Sequence, residues 1–411
     1  MKNLYIHKAI FIIFTIKGSV VKRILSISLM ALSYGNMSSA SETPNKFVVA
    51  TFNIDTNIAR TEEGYARDSH PQWRVGERMP KIITSLNNII ATDQPDVIHL
   101  QEGRKFTTKF GDEVDSINPL MEYLASQDYH VTTEQYNPSD RAFSFITAIK
   151  NKFAIDGYEK IYLTKTPDKP TDHSLPLADI KDNNFGEEWE RCALISNFRD
   201  QEGRKYRATN IHLGVSQFHR KQACQMLQQN ALQTSITNPK ILQILTGDMN
   251  TFPDWGGPAQ LAIMAQDGVL QEVTENLQLQ NGQHVNSTFI SFPFDFAADE
   301  QRLNTQSVKD IGKPLVAILA AMEAQDRKEK IGQTFATECK ALNGKLDRVY
   351  QHGFKKASAT LRPTPQFNDF NHESFDESTV KNFIMRHHHE GPAFASDHQP
   401  VVAILEIPQE K

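Results

Sequence analysis

Six stretches of this chain are nearly continuous apolar runs of strand length: "KFVVATFNI", "PDVIHL", "YRATNIHL", "ILQILTG", "LDRVY" and "QPVVAILEI". Runs of this kind suit central strands covered on both faces, so the chain needs layers on either side of its sheets. Each run is also followed or punctuated by a carboxylate, a carboxamide or an imidazole. Asn53 and Asp55 end the first, Glu102 follows the second, and His212 closes the third. Asp248 and Asn250 follow the fourth, Asp347 lies within the fifth, and Asp397-His398 immediately precedes the last. Strand ends bring remote side chains into one crevice on a rigid support. Because side chains alternate with period two, Asp248 and Asn250 can face one side while Met249 turns into the core.

Helical spacing lies between the runs. Ile82, Ile83, Leu86, Ile89 and Ile90 predict a helix with Pro80 in its first turn, and a second helix is expected around "FHRKQACQMLQQNAL" after His212. With 411 residues and 39% apolar content, the chain can bury a full core. Residues 41–411 read as a single domain carrying a helical insertion at about 292–345, where "KPLVAILAAMEAQDRKEK" is amphipathic behind Pro314. The insertion reads as a flap beside the site.

Residues 1–40 differ in kind, with five basic residues, no acidic ones and two short apolar runs. The second run, between "VKR" and "SSA", has the parts of a secretory signal cleaved after Ala40, with Val21 as an alternative true start. An uncleaved amino-terminal anchor is the rival reading. The expected location is therefore exported, periplasmic or secreted. Without these residues the formal charge moves from −5 to −10, and nothing suggests the basic face on which broad phosphate neutralisation depends. Cys192, Cys224 and Cys339 form no CxxC and read as small buried hydrophobes.

The residue types at the run ends fit one chemistry. A hard cation such as Mg²⁺ takes carboxylate oxygens and keeps several waters, so one or two carboxylates suffice; Glu102 leads, with Asp55 in support. Hydrolysis of a phosphoester needs an oriented water, a group to take its proton, and donors aimed at the phosphoryl oxygens. Asp248 can orient and deprotonate the water while Asn250 fixes its position. His398, held by Asp347 or Asp397, can contact phosphate or water. Asn53, and His212 if protonated, can donate to the phosphoryl oxygens. Singly, each motif also reads as a turn, a cap or a core histidine. Five such stretches in one order, each against a strand, are hard to obtain from caps and turns.

With "TFNID", "PDVIHLQE", "TNIHLG", "LTGDMN", "STF" around Thr288, "LDRVY" and "SDHQPV", the chain resembles the endonuclease/exonuclease/phosphatase (DNase I-like) superfamily over residues 46–408. "QWRVGER", "IYLTKTPDKP" and "WERCALISNF" look like its exported bacterial branch of metal-dependent hydrolases. The resemblance implies a four-layer α/β sandwich of two packed mixed β-sheets flanked by helices, and a Mg²⁺ cofactor with Mn²⁺ as a substitute. It also implies Glu102 on the metal, Asn53, His212 and Thr288 near substrate, Asp248 and Asn250 with the nucleophile, an Asp347–His398 pair, and Asp397 at the metal or beside His398.

Departures narrow it. "GDMNTFPDW" and "GKLDRVY" lack the Arg and the Pro-Ala-Trp-Cys-Asp-Arg element of inositol 5-phosphatases. His212 stands where apurinic-site endonucleases carry Asp. "FISFPFDF" is a candidate membrane contact of the sphingomyelinase kind, although a core strand is the better reading. His387–His389 read as a solvated loop rather than a second metal site. The expectation is an exported Mg²⁺-dependent phosphoesterase on a small or lipid-derived phosphoester, monomeric and without a stable protein partner. The alternatives are a secreted nuclease on DNA or RNA, a sphingomyelinase-type lipid phosphodiesterase, and an inactive binding protein of the same fold.

Overall fold

The apolar runs form the middles of two β-sheets. The computed structural model describes residues 46–54, 75–107, 113–136, 143–163, 191–214, 217–251, 257–282, 284, 288, 345–362, 396 and 398–409. The amino-terminal segment, the 292–345 insertion apart from Lys345, Asp55, Asp397, Cys339 and His387–His389 lie outside them.

Sheet 1 runs β12 (Lys356–Leu361), β13 (Val401–Glu406), β1 (Lys46–Asn53), β2 (Val97–Thr107), β5 (Phe143–Lys150), β4 (Tyr129–Gln135), with β3 (Glu113–Asp115) on β2. Sheet 2 runs β10 (Gln271–Glu272), β11 (Asp347–His352), β9 (Leu242–Asp248), β8 (Lys205–His212), β7 (Cys192–Arg199), β6 (Ala154–Tyr162). Both are mixed: β1–β2 and β8–β9 are parallel, and the other strand pairs are antiparallel.

The two sheets pack face to face. Phe47, Val49, Val97 and Leu405 of sheet 1 share one buried cluster with Phe198, Tyr206, Ile244 and Val349 of sheet 2. Helix α1 (Val75–Asp93) and α2 (Ile117–Ser126) cover the outside of sheet 1, burying Ile82, Leu86, Ile89, Leu120 and Leu124. Helix α3 (Gln217–Thr237) and α4 (Gly257–Met264) cover sheet 2 through Ala223, Cys224, Leu227 and Met264. The protein is thus the four-layer α/β sandwich expected, because strands apolar on both faces require both coverings. Among the described residues no helix is long and apolar enough to cross a membrane.

Three local expectations shift. Helix α1 begins at Val75, so Pro80 lies inside it rather than in its first turn. Helix α3 extends beyond both ends of the predicted stretch. Strand β2 continues past Glu102 to Thr107, and its pairing with β5 slips between Leu100 and Gly103. Glu102 therefore sits in a β-bulge with φ 65°, not at a strand end. Bulges re-aim a side chain that the regular pleat would send elsewhere.

The space between the sheets changes character along the strands. At one end Phe47, Phe198 and Tyr206 stack with centroids 5.0 to 6.2 Å apart. Midway the sheets are bridged by polar groups. His99 Nδ1 lies 2.7 Å from Thr246 Oγ1, and Gln101 Nε2 donates to Asn210 Oδ1 at 2.7 Å. The Asn210 amide in turn donates to Leu100 O and Ile146 O, two carbonyls beside the bulge, at 3.2 and 3.3 Å. Leaving such carbonyls buried and unmet costs about 1–3 kcal/mol each.

His99 carries a consequence for stability. Burial lowers its pKa to about 3, so the folded protein holds it neutral where the unfolded chain, near 6.5, takes up a proton. The folded pKa being depressed, the stability it contributes is present above pH 6.5 and is lost as pH falls toward 3. The slope is about 1.4 kcal/mol per pH unit. Urea unfolding at pH 7.5 and pH 5 is expected to show His99→Gln losing about 2 kcal/mol less than the wild type across that interval. Equal losses would remove His99 as the cause.

Candidate active site

Strand register assembles the polar residues. In sheet 2, Asp347 of β11 pairs across Asp248 of β9, and His212 of β8 pairs with Asp248 on the other side. One row of three adjacent strands thus carries Asp347, Asp248 and His212. In sheet 1, Asn53 at the end of β1 pairs with Gln101, next to the bulged Glu102. His398 just precedes β13, the antiparallel neighbour of β1. The two rows meet at the end of the sandwich opposite the aromatic stack.

Asn53 is the point of convergence. Its Nδ2 donates to Asp248 Oδ2 at 3.0 Å and to Glu102 Oε1 at 3.2 Å, and lies 3.3 Å from His398 Nε2. Ser396 locks the backbone beneath it by donating to Asn53 O at 2.7 Å while accepting the His398 N–H at 3.1 Å.

Each remaining group is oriented by a specific partner. Asp248 Oδ1 accepts the Asn250 N–H at 2.7 Å, which turns Oδ2 toward Asn53 and toward His212 Nε2, 3.4 Å away. Asn250 adopts φ 49° and donates its amide to Leu213 O at 2.7 Å, leaving its side-chain oxygen as an acceptor. Between them Met249 is fully buried. His398 Nδ1 lies 2.8 Å from Asp347 Oδ2; the carboxylate accepts, so Nδ1 carries the proton and Nε2 is the acceptor that faces Asn53 Nδ2. His212 Nδ1 lies 2.7 Å from the phenol of Tyr136, and His212 Nε2 lies 3.8 Å from Glu102 Oε1.

Burial dominates the electrostatics. It raises the Asp248 carboxyl above the usual range; His398 opposes this, Asp347 reinforces it, and the Asn250 and Asn53 hydrogen bonds oppose it again. It holds His212 well below the ordinary histidine value, with Arg191, His398 and Arg104 adding to the effect. His212 therefore favours its neutral form, whereas the sequence reading made its donation conditional on protonation. An imidazole N–H still donates.

Thr288 also takes a different part. Its hydroxyl is buried and accepts the N–H groups of Leu346 and Asp347, both at 3.0 Å, and its carbonyl accepts the Gln399 N–H at 2.8 Å. It clasps the Asp347 and His398 segments together instead of facing substrate. Tyr136, Ser396, Gln101 and Asn210 were not singled out from sequence. Tyr136 lies in "TEQYNPSD", away from any apolar run, and only the contact with His212 reveals it.

Among the described residues no three His, Cys, Asp or Glu side chains form a cluster able to hold an ion alone. That donor set still fits Mg²⁺, which keeps most of its waters and binds through one or two carboxylates. Glu102, in its bulge beside Asn53, is the carboxylate so placed.

The chain is similar to solved endonuclease/exonuclease/phosphatase structures. One from Bacteroides vulgatus shares 14% identity, with 88% of this chain and 99% of that one covered and a TM-score of 0.47. Truncated Caenorhabditis elegans TDP2 shares 14%, covering 88% and 97%, with a TM-score of 0.46. The mannosyl-6-phosphatase Bt3783 of Bacteroides thetaiotaomicron shares 14%, covering 87% and 99%, with a TM-score of 0.45. No protein-family model and no curated protein matches the sequence. At this identity and superposition the functional reading rests on the side chains described above.

Proposed function

We propose that this protein is a metal-dependent phosphoester hydrolase that activates water against phosphorus. The observation that carries the reading is the Asn53 amide, which touches Glu102, Asp248 and His398 at once and so ties a cation ligand, a base and an imidazole to one point. Glu102 would hold Mg²⁺ or Mn²⁺, and the cation would offset charge developing on the phosphoryl group. Asp248, made more basic by burial, takes the proton of a water that the Asn250 side-chain oxygen helps to orient. Asn53 Nδ2 and His212 Nε2 donate to the phosphoryl oxygens. His398, fixed by Asp347, presents Nε2 as an acceptor on the same side. Asp55 and Asp397 keep their proposed place at the cation on sequence grounds alone.

For substrate we favour a small or lipid-derived phosphoester. A net charge of −10 without residues 1–40 disfavours tight binding to a polynucleotide, which gains affinity by neutralising many phosphates. The nuclease is the second reading, since the same groups would cleave a nucleic-acid phosphodiester. Export rests on the signal-like segment before Ser41. The discriminating experiment offers the protein plasmid DNA, RNA, inositol phosphates, sphingomyelin and sugar phosphates with Mg²⁺. Release from a small or lipid phosphoester, with DNA and RNA intact, is the expected result. Nucleic-acid cleavage lost in Glu102→Gln would establish the nuclease instead.

A further inference from the structure

We propose that Tyr136 is a positioning residue whose phenol holds His212 in the Nε2–H tautomer, so that this imidazole can meet the substrate only as a hydrogen-bond donor. The tautomer half stands on geometry; the substrate half rests on the hydrolase reading above.

A phenol has one proton to donate. Tyr136 Oη lies 2.7 Å from His212 Nδ1. Directed at the imidazole, that proton meets Nδ1. Nδ1 must then accept, and the ring proton resides on Nε2. Nε2 faces acceptors that suit it, Asp248 Oδ2 at 3.4 Å and Glu102 Oε1 at 3.8 Å.

The ring that imposes this is rigidly held. Tyr136 is 2% exposed. It stacks on Phe143 at 5.9 Å with an interplanar angle of 7°, touches Phe145 at 4.3 Å, and meets the His212 ring edge-on at 5.4 Å. Its backbone N–H donates to Phe143 O at 2.9 Å.

His398 gives the contrast. A carboxylate at its Nδ1 can only accept, so Asp347 holds His398 in the Nδ1–H tautomer with Nε2 as an acceptor, 3.3 Å from Asn53 Nδ2. A phenol at the same nitrogen of His212 does the opposite. Two imidazoles on either side of Asp248 Oδ2, 3.4 and 3.7 Å away, are thus given opposite tautomers by the chemistry of their partners. One donates and one accepts. Tyr136 directly follows β4 of sheet 1, so its hydroxyl reaches across to His212 of sheet 2.

The test reads the tautomer directly, by long-range ¹H–¹⁵N correlation of the ¹⁵N-labelled full chain at pH 8. His212 signals are identified by their loss in His212→Gln. The wild type should show the proton on Nε2 and an accepting Nδ1. Tyr136→Phe, which keeps the ring, should move both nitrogens toward tautomer-averaged values. With a hydrolysed phosphoester it should lower kcat roughly ten- to a hundredfold, with KM changed less than threefold. Tyr136→Phe combined with His212→Gln should be no slower than His212→Gln alone. An Nδ1–H tautomer in the wild type, or a Tyr136→Phe protein whose His212 signals do not move, overturns the tautomer assignment. A kcat within twofold of the wild type in Tyr136→Phe overturns the catalytic half. If the tautomer behaves as described but the wild type turns over no phosphoester, the hydrolase reading fails while the tautomer assignment stands.

Discussion

Asp248→Asn is expected to lower kcat for phosphoester hydrolysis by about 10³-fold or more, in line with the loss of a positioned general base, while the protein stays folded. The activity loss follows from geometry. Asp248 Oδ1 is held by the Asn250 N–H, and Oδ2 is the oxygen turned to the shared centre. An amide nitrogen placed there cannot accept a proton from water. The small stability change follows from burial. The Asp248 charge is disfavoured by its surroundings and by Asp347 beside it, so removing it offsets part of the hydrogen bonding lost to Asn53. A change within about 2 kcal/mol is expected from urea unfolding. Activity retained within tenfold would remove Asp248 as the base.

Gly247→Ala should cost far more in stability than any substitution at the polar residues around it. Gly247 adopts φ 142°, and a Cβ there would lie 1.9 Å from Ile211 O, well inside contact distance of a backbone atom. Ile211 is its register partner in the parallel β8–β9 pair, one residue before the His212–Asp248 pairing. The clash must therefore push apart the two strands that carry the site. A loss of about 3–5 kcal/mol in unfolding free energy is expected, together with reduced activity in whatever fraction remains folded. A loss below about 1 kcal/mol would mean that β8 and β9 do not approach as described.

Gly247 also shows where sequence reasoning is strong and where it stops. "TGDMN" reads as a strand ending in a turn pair, and the strand does end at Asp248; the Asn250 N–H on Asp248 Oδ1 with Asn250 at φ 49°, rather than strand alternation, then sets the two residues together. The reason for glycine is not visible, because it depends on the carbonyl of a strand thirty-odd residues away. The apolar runs made the central strands legible, since a strand apolar on both faces can only be central, while the four-layer sandwich was legible only through the resemblance. Asn53, Asp248, His212, Asp347 and His398 were legible as residues of unusual polarity at the edges of such runs.

Glu102 was legible by type but not by conformation. Its bulge depends on pairing with β5 and on the Asn210 amide reaching Leu100 O and Ile146 O from the other sheet. Thr288 was placed near substrate only by the resemblance carried by "STF". Its actual bonds to Leu346, Asp347 and Gln399 depend on the packing of three remote segments. Tyr136 had no sequence signal, because a tyrosine in a polar loop is an ordinary observation until an imidazole is found 2.7 Å from it.

The most direct test of the hydrolase reading is turnover of a generic phosphodiester and a generic phosphomonoester by the purified protein, with Mg²⁺ and with chelator, beside Glu102→Gln. The predicted result is hydrolysis that requires the cation and falls by at least about 10³-fold in Glu102→Gln. Hydrolysis that persists undiminished in chelator, or that Glu102→Gln leaves intact, would contradict it.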